Sequence, residues 1–390
     1  MNLLSRGARF PPPLIAALTL LLAGLAGFRY WEVQGGSESG LNPRPELLVE
    51  PRWLADRLTD PGQRIVDLRS VEQYAAGHIP GAVRFEVGAL YAEREGIAGM
   101  LPEPEALQES IRAAGIAPDT VVIAYDNRDG LSAARLFWAL DVVGQGNGRL
   151  LNGGWPGWVG GGFPVSRDPV RVPRSNFTAR LQPEKVVNRA WMEAHLHDEQ
   201  TAFVDARSPA EYEGSRSGSK RSGHIPSAFS MEWRNHLDPQ QGGRFLDPGK
   251  LVQWFAALGV TPDKEVATYC QSHTRASHTY FTLRWLGFDN VRGYDGSWSE
   301  WGNRDDTPIE TGPPRTRSEA SPAAAPEVSE LATGISEAQA RRLLGAPADV
   351  EEQNPCWGRQ AVWNYPPGTQ GAAGGLRLIF LDGLLQEIRR

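Results

Sequence analysis

The feature that most constrains the fold of this chain is an internal duplication. The segment at residues 65–158 is echoed, landmark by landmark, by the segment at residues 203–301. Both segments carry an apolar run ending in Asp-x-Arg, then Gly-His-Ile-Pro-Gly/Ser-Ala, then a Gly-Ile/Val-x-Pro-Asp turn before a β-branched run. An ordered set of shared landmarks indicates two copies of one domain. In this register Cys270 of the second copy falls opposite Asp126 of the first.

The alternation of residue types within each copy predicts an α/β fold. Short Val/Ile-rich runs alternate with amphipathic stretches, for example at residues 105–114 and 251–258. This alternation is typical of a parallel sheet covered by helices. We therefore expect the loops that carry chemistry to lie at the carboxyl ends of the strands.

Cys270 is the candidate nucleophile. It ends the strand-like run at residues 265–269 and precedes an apolar helical pattern. The backbone N–H groups of such a turn, and the positive end of the following helix, stabilise a thiolate. Arg275 and His273 add basic groups within five positions. Because Asp126 occupies the matching position, the first copy has no thiol there and is expected to serve as a scaffold.

These landmarks resemble the tandem rhodanese family, whose members are sulfurtransferases with two homologous α/β domains and one catalytic cysteine in the second. The resemblance covers residues 47–312. The loop at residues 270–275, Cys-Gln-Ser-His-Thr-Arg, is most similar to a bacterial subclass that reads Cys-Gln-x-His-x-Arg. It differs from the Cys-Arg-Lys-Gly loop of thiosulfate enzymes and from the Cys-Gly-Ser-Gly loop of mercaptopyruvate enzymes, so the loop does not identify the natural donor.

The resemblance implies a thiosulfate sulfurtransferase-like enzyme that needs no cofactor. Sulfane sulfur from thiosulfate or a related anionic donor would pass through a Cys270 persulfide to a thiol or cyanide acceptor. Arg275 is the second predicted catalytic residue and faces the developing anion. The other loop residues are predicted to bind the donor: Gln271, Ser272, His273 and Thr274. His273 is alternatively a proton carrier near neutral pH, or a solvated loop residue without a role.

Asp205 and Arg207 are predicted to support the loop as a buried pair, since charges near a core are usually paired. Two alternatives to sulfur transfer remain at this stage. Related folds with a Cys-x5-Arg loop are phosphatases, although the Cys-x4-Arg spacing here closes a smaller loop that suits one sulfur atom better than a phosphate. The other alternative is a non-enzymatic sulfur-carrier or redox module of the cell envelope.

Charge and cysteine content exclude several other classes of protein. The formal net charge is −6, so no global basic field recruits nucleic acid, and an anionic donor must be attracted by local groups. Two cysteines among 390 residues exclude a disulfide scaffold, and no His/Cys cluster has the spacing of a zinc site. We expect no bound metal.

The N-terminal segment predicts export. Arg6 and Arg9 precede an apolar stretch at residues 14–28, which has the length of a signal-peptide core and is short for a full membrane span. An uncleaved membrane anchor is the alternative. Arginines on the N-terminal side place the body of the protein outside the cytoplasm, in the periplasm or anchored to the inner membrane facing it.

The remaining chain divides by composition. A Pro/Ala-rich tether precedes a C-terminal segment with a helical pattern, Trp-x-Tyr-Pro and Phe-x-Asp-Gly, which resembles the SmpA/BamE-like α+β modules of bacterial envelope proteins and implies an envelope partner. The predicted boundaries are 1–45 for the signal or anchor segment and linker, 46–165 for the first, non-catalytic domain, 166–187 for the interdomain linker, 188–312 for the second, catalytic domain, 313–328 for the tether and 329–390 for the C-terminal module.

Overall fold

The computed structural model describes residues 41–314, 337–353, 360–367, 375–381 and 384–389. The strands of the first copy are β1 (Leu48–Val49), β2 (Gln63–Asp67), β3 (Val83–Arg84), β4 (Ala92–Arg94), β5 (Ile97–Met100), β6 (Val121–Tyr125) and β7 (Gly148–Leu151). Its helices are α1 (Pro51–Ala55), α2 (Val71–Ala76), α3 (Pro104–Ala113), α4 (Leu131–Val142) and α5 (Gly154–Gly160).

The second copy repeats this element order. Its strands are β8 (Val186–Val187), β9 (Thr201–Asp205), β10 (Phe229–Ser230), β11 (Leu237–Asp238), β12 (Arg244–Phe245), β13 (Glu265–Tyr269) and β14 (Val291–Tyr294). Its helices are α6 (Arg189–Ala194), α7 (Pro209–Glu213), α8 (Pro248–Leu258), α9 (Thr274–Leu286) and α10 (Ser297–Trp301).

Both copies build the same parallel sheet, with strand order β1-β7-β6-β2-β3 in the first and β8-β14-β13-β9-β10 in the second. The central strands β6 and β13 are buried at every position after the first because helices cover both faces of the sheet. The predicted α/β architecture is therefore confirmed for the two copies. Each copy also has a short antiparallel hairpin outside its sheet, β4–β5 or β11–β12.

The two helices that follow the candidate loops pack against each other between the sheets. Every residue of α4 is buried, as are most of α9. Phe137 meets Phe281 edge to face with ring centroids 5.0 Å apart, and the Tyr280 hydroxyl donates to Asp141 Oδ2 at 3.0 Å. The loops that precede these helices therefore open into one shared interface.

The predicted interdomain linker ends in a short strand. Val186–Val187 forms β8, which pairs with β14 at the edge of the second sheet. The edge strand belongs to the second domain because β1 takes the same place in the first. A composition rich in Arg, Pro and Ser hides this strand, since only two residues enter the ladder.

The C-terminal segment contains a helix and an antiparallel sheet. Helix α11 (Glu337–Leu344) precedes β15 (Asp349–Gln353), β16 (Gln360–Tyr365), β17 (Leu376–Leu381) and β18 (Leu384–Arg389), which pair in that order. Ala340 of the helix packs with Trp363, Leu378 and Phe380 of the sheet. The Asp-Gly pair of the Phe-x-Asp-Gly pattern, residues 382–383, lies outside the described residues.

The predicted signal or anchor segment, residues 14–28, also lies outside the described residues. Within the described ranges, no helix has both the length and the apolar character that a membrane crossing requires. The same ranges contain no group of three or more His, Cys, Asp or Glu side chains arranged to hold a metal ion.

Candidate active site

Cys270 lies directly after β13, at the base of the loop that leads into α9. Its side chain is buried, since the residue is only 1% exposed. The start of α10 holds the backbone around it. Trp298 N–H donates to the Cys270 carbonyl at 2.9 Å, and Cys270 N–H donates to Ser297 Oγ at 3.4 Å. These contacts fix the backbone that carries the thiol.

The loop turns into α9 through His273, whose φ of +57° is in the left-handed region. Ser277 N–H donates to the His273 carbonyl at 2.9 Å, which closes the first helical turn. The N–H groups before Ser277 lie in the first turn, where a helix has no intrahelical acceptors for them. Together with the helix dipole, such N–H groups stabilise an anion at the loop.

The first copy shows what this loop geometry binds. Asp126 stands in place of the cysteine, and its buried carboxylate accepts from four backbone N–H groups of its own loop. These donors are Arg128 at 2.7 Å, Gly130 at 3.0 Å, Ser132 at 2.6 Å and Ala133 at 2.9 Å. The loop of the first copy is therefore an anion-binding nest that its own side chain fills.

The first hydrogen bond of each helix identifies which residues of the second copy correspond to these donors. Ala134 N–H donates to the Gly130 carbonyl just as Ser277 N–H donates to the His273 carbonyl. The counterparts of Ser132 and Ala133 are therefore Arg275 and Ala276. Their backbone N–H groups occupy the positions whose counterparts bind the Asp126 carboxylate in the first copy.

The side chain of Arg275 is not a free cation. It makes two parallel hydrogen bonds to Glu211, from Nη1 to Oε2 at 2.6 Å and from Nη2 to Oε1 at 2.8 Å. Burial opposes the charge on Glu211, but the hydrogen bonds from Arg275 lower the pKa of this carboxyl to about 2. The expected open positive charge at the loop mouth is thus largely compensated, which the spacing of charged residues along the sequence did not reveal.

Three of the predicted donor-binding side chains contact protein groups. Gln271 Nε2 donates to Ser219 Oγ at 2.9 Å and to Ser299 Oγ at 3.2 Å. Thr274 Oγ1 lies 3.1 Å from the hydroxyl of Tyr91, which belongs to the first copy. Ser272 packs against Gly99 of the β4–β5 hairpin, where an added Cβ would come within 2.6 Å of the serine Cβ. These side chains fix the loop against its surroundings.

The structure places His273 in the interior and not at the surface of the loop. The residue is fully buried, with Nε2 3.2 Å from Thr268 Oγ1 and Nδ1 3.1 Å from Ser277 Oγ. Burial, and secondarily the charge of Arg135, holds its pKa well below the ordinary value. His273 is therefore a neutral residue of the interior, which corrects the solvated position, whereas its donor-binding role stays a prediction.

Asp205 and Arg207 form a buried pair below the loop. Arg207 Nη2 donates to Asp205 Oδ2 at 2.6 Å and to the Gly223 carbonyl at 2.7 Å, and both residues are 0% exposed. The guanidinium also lies over the Trp298 ring, 4.4 Å from its centroid. This geometry ties the end of β9 to the segment that carries α10.

Two further charged residues lie near the loop that the sequence interpretation missed. Arg135, in α4 of the first copy, is fully buried, which lowers the pKa of its guanidinium, and the negative charge of Cys270 is among the groups that oppose this shift. Asp295, after β14, accepts from Leu101 N–H at 3.0 and 3.1 Å. An arginine inside an apolar helical run is a signal that was available, because such residues are rarely buried without a reason.

Comparison with known proteins agrees with this geometry. The family model of the rhodanese-like domain matches residues 50–160 and 188–304. The chain is 36% identical to a thiosulfate sulfurtransferase of Pseudomonas aeruginosa and 38% identical to one of Azotobacter vinelandii, each match covering 68% of this chain and 97% of the relative. It is 33% identical to a 3-mercaptopyruvate sulfurtransferase of Escherichia coli, over 66% of this chain and 95% of that protein. The chain therefore belongs to the rhodanese family and is a sulfurtransferase with two rhodanese-like domains.

Proposed function

We propose that Cys270 is the sulfur-carrying nucleophile and that thiosulfate is the donor. The thiolate attacks the outer sulfur of thiosulfate, a new S–S bond forms, and the bond between the two thiosulfate sulfurs breaks so that sulfite leaves with the electron pair. An acceptor thiolate or cyanide then attacks the outer sulfur of the persulfide. This second step yields a persulfide or thiocyanate and returns the Cys270 thiolate.

The observation that carries this proposal is the nest of N–H groups around Asp126. A carboxylate accepts four hydrogen bonds there, so the matching nest at Cys270 suits an anionic sulfur. The backbone N–H groups of Arg275 and Ala276 hold the persulfide's outer sulfur in this proposal. The Arg275 side chain, paired with Glu211, orients the loop and contributes less charge than an unpaired arginine would.

Thiosulfate is preferred to 3-mercaptopyruvate as donor because the relatives with 36% and 38% identity are named thiosulfate sulfurtransferases. Mercaptopyruvate is the second candidate, given the Escherichia coli relative at 33%. The same relatives disfavour a phosphatase or a non-enzymatic carrier. Comparing kcat/KM for the two donors, with cyanide as acceptor, decides between them: a higher value with mercaptopyruvate overturns the choice of donor.

A single-turnover experiment tests the nucleophile. Reduced protein is mixed with thiosulfate without acceptor, digested under acidic conditions, and the Cys270 peptide is weighed. We expect this peptide to gain the mass of one sulfur atom while one equivalent of sulfite is released, and to lose that mass when cyanide is added. Sulfite release with an unmodified Cys270 peptide would contradict the proposal.

We further propose that the protein is exported, with a C-terminal SmpA/BamE-like module that binds an envelope partner. The two arginines before residues 14–28, and the helix followed by an antiparallel sheet at residues 337–389, support this. The domain boundaries given above are proposed with β8 moved into the second domain. Fractionation of cells that express the full chain tests export: recovery only in the cytoplasm would contradict it.

A further inference from the structure

Arg135 is an unusual residue for the copy that lacks the thiol. It lies in α4, whose residues are all buried, and is itself 0% exposed. Its Nη2 donates to the carbonyls of Leu90 at 3.2 Å and Gly99 at 3.0 Å. The guanidinium lies 4.8 Å from the ring centroid of Tyr91 and 4.9 Å from that of Trp138. A fully desolvated cation is costly unless an anion faces it.

The described residues do not fully compensate this charge. Nε and Nη1 of Arg135 have no hydrogen-bond acceptor within the described part of the chain. The carboxylate of Asp295 is 3.9 Å from Nη2, too far for a hydrogen bond, and both of its oxygens accept from Leu101 N–H. Arg275 differs in this respect, because both of its terminal nitrogens, Nη1 and Nη2, donate to the Glu211 carboxylate.

The contacts of Arg135 lead directly to the catalytic loop. Gly99, whose carbonyl it binds, packs on Ser272, and Trp138, against which it lies, has its ring centroid 3.9 Å from that of His273. Burial lowers the pKa of the Arg135 guanidinium, and the negative charges of Asp295, Tyr91 and Cys270 partly oppose this shift. Other ionisable groups around the thiol are the Arg275–Glu211 and Arg207–Asp205 pairs, Asp295 and the neutral His273.

We propose that Arg135 is a positioning residue of the first domain, whose incompletely compensated guanidinium stabilises the Cys270 thiolate and its persulfide across the domain interface. This rests on the proposed role of Cys270. The first domain thus contributes charge to the reaction as well as support. The bond-making step is unchanged, since Arg135 acts through the field at sulfur and transfers no proton.

The test measures the pH at which Cys270 becomes reactive. Alkylation by iodoacetamide is followed against pH by mass spectrometry of the Cys270 peptide, which separates it from Cys356. Arg135→Met, similar in length and uncharged, should raise the alkylation midpoint by about one pH unit, and Arg135→Lys should restore part of that shift. Asp295→Asn removes the carboxylate that faces Arg135 and introduces the amide that the first copy has at the matching position, Asn152. It should therefore lower the alkylation midpoint.

Arg69→Met is the matched control. Arg69 is also a buried arginine of the first copy, but it is paired with Asp67 at 2.6 Å, so its loss should leave the midpoint unchanged. Three results would overturn the proposal. Folded Arg135→Met could keep the wild-type alkylation midpoint, or Arg69→Met could shift it equally. The third is an unchanged or raised midpoint in Asp295→Asn. If Arg135→Met fails to fold, the alkylation midpoint of Asp295→Asn decides the proposal. Alkylation is measured without turnover. If Cys270 forms a persulfide but Arg135→Met leaves the alkylation midpoint unchanged, the role of Arg135 is refuted and the proposed role of Cys270 is not.

Discussion

The two rhodanese-like domains share a scaffold and differ in what fills the loop. Arg69 donates to Asp67 at 2.6 Å and to the Gly77 carbonyl at 2.7 Å, and Arg207 repeats both distances with Asp205 and Gly223. The first loop is closed by the Asp126 carboxylate, whereas the second carries Cys270 at the same strand end. The first loop therefore uses its N–H groups to bind its own carboxylate, and the proposed function gives the N–H groups of the second loop a role in chemistry.

A second difference concerns the helix that follows the Asp-x-Arg pair. In each copy a serine begins this helix in a capping box, with Gln73 as the third helical residue of the first and Glu211 as that of the second. Only the glutamate carries a charge, and it binds Arg275. The capping residue of the first domain thus serves its own helix, whereas that of the second domain also binds the catalytic loop.

The largest effect is expected for Cys270→Ser. A serine hydroxyl is a poor nucleophile at neutral pH and forms no persulfide, so thiosulfate:cyanide turnover should be abolished with the thermal unfolding midpoint little changed. Turnover above a small fraction of the wild-type rate would show that the two copies do not differ in the way that Cys270 and Asp126 suggest.

Arg275→Ala should reduce thiosulfate turnover roughly tenfold, because it leaves Glu211 unpaired and negative beside the loop. The double variant Arg275→Ala/Glu211→Ala removes the pair as a whole and should lose less activity. Steady-state kinetics of both variants and of Glu211→Ala give the coupling between the two residues. A double variant as slow as the single one, or slower, would mean that the Arg275 charge itself acts on the donor.

Glu211→Gln gives the second domain the capping residue of the first. The pKa of the Glu211 carboxyl is about 2 in the folded protein, below its value of roughly 4.3 in the unfolded chain. The ionised carboxylate therefore stabilises the fold above about pH 4.3, and this contribution is lost as the pH falls towards 2. We expect a loss of about 3 kcal/mol at pH 7 that shrinks below about pH 4.5. Urea unfolding at pH 7, 5 and 4 measures it, and a difference independent of pH would exclude the ion pair as its cause.

Asp126→Ala should have the smallest effect on turnover and a measurable effect on stability. Four N–H groups, two of them buried, lose their acceptor, at a cost of roughly 2–4 kcal/mol in the free energy of unfolding, while the catalytic loop keeps its own contacts. Asp126→Asn retains an acceptor oxygen and should cost less. Denaturation curves and turnover of both variants provide the check, and a rate loss comparable to that of Cys270→Ser would give Asp126 a direct part in catalysis.

Local sequence patterns predicted the elements that position the thiol. The run at residues 265–269 is a strand with the predicted bounds, Cys270 follows it, and Thr274 begins the helix. The Asp205–Arg207 pair was predicted as well, since a carboxylate and a guanidinium two positions apart at a strand end have few other partners. These features depend on residues that are neighbours in the chain, so their periodicity and spacing are sufficient.

The sequence by itself determined the duplication, the α/β architecture and the position of the single loop thiol. Only the tertiary structure decided how charge is distributed around that thiol. Glu211 reaches Arg275 across 64 positions, His273 turns into the core, and Arg135 arrives from the other domain through α4. Charge in a buried site acts through space over several ångströms, and the chain brings such groups together only when the two sheets and their helices pack.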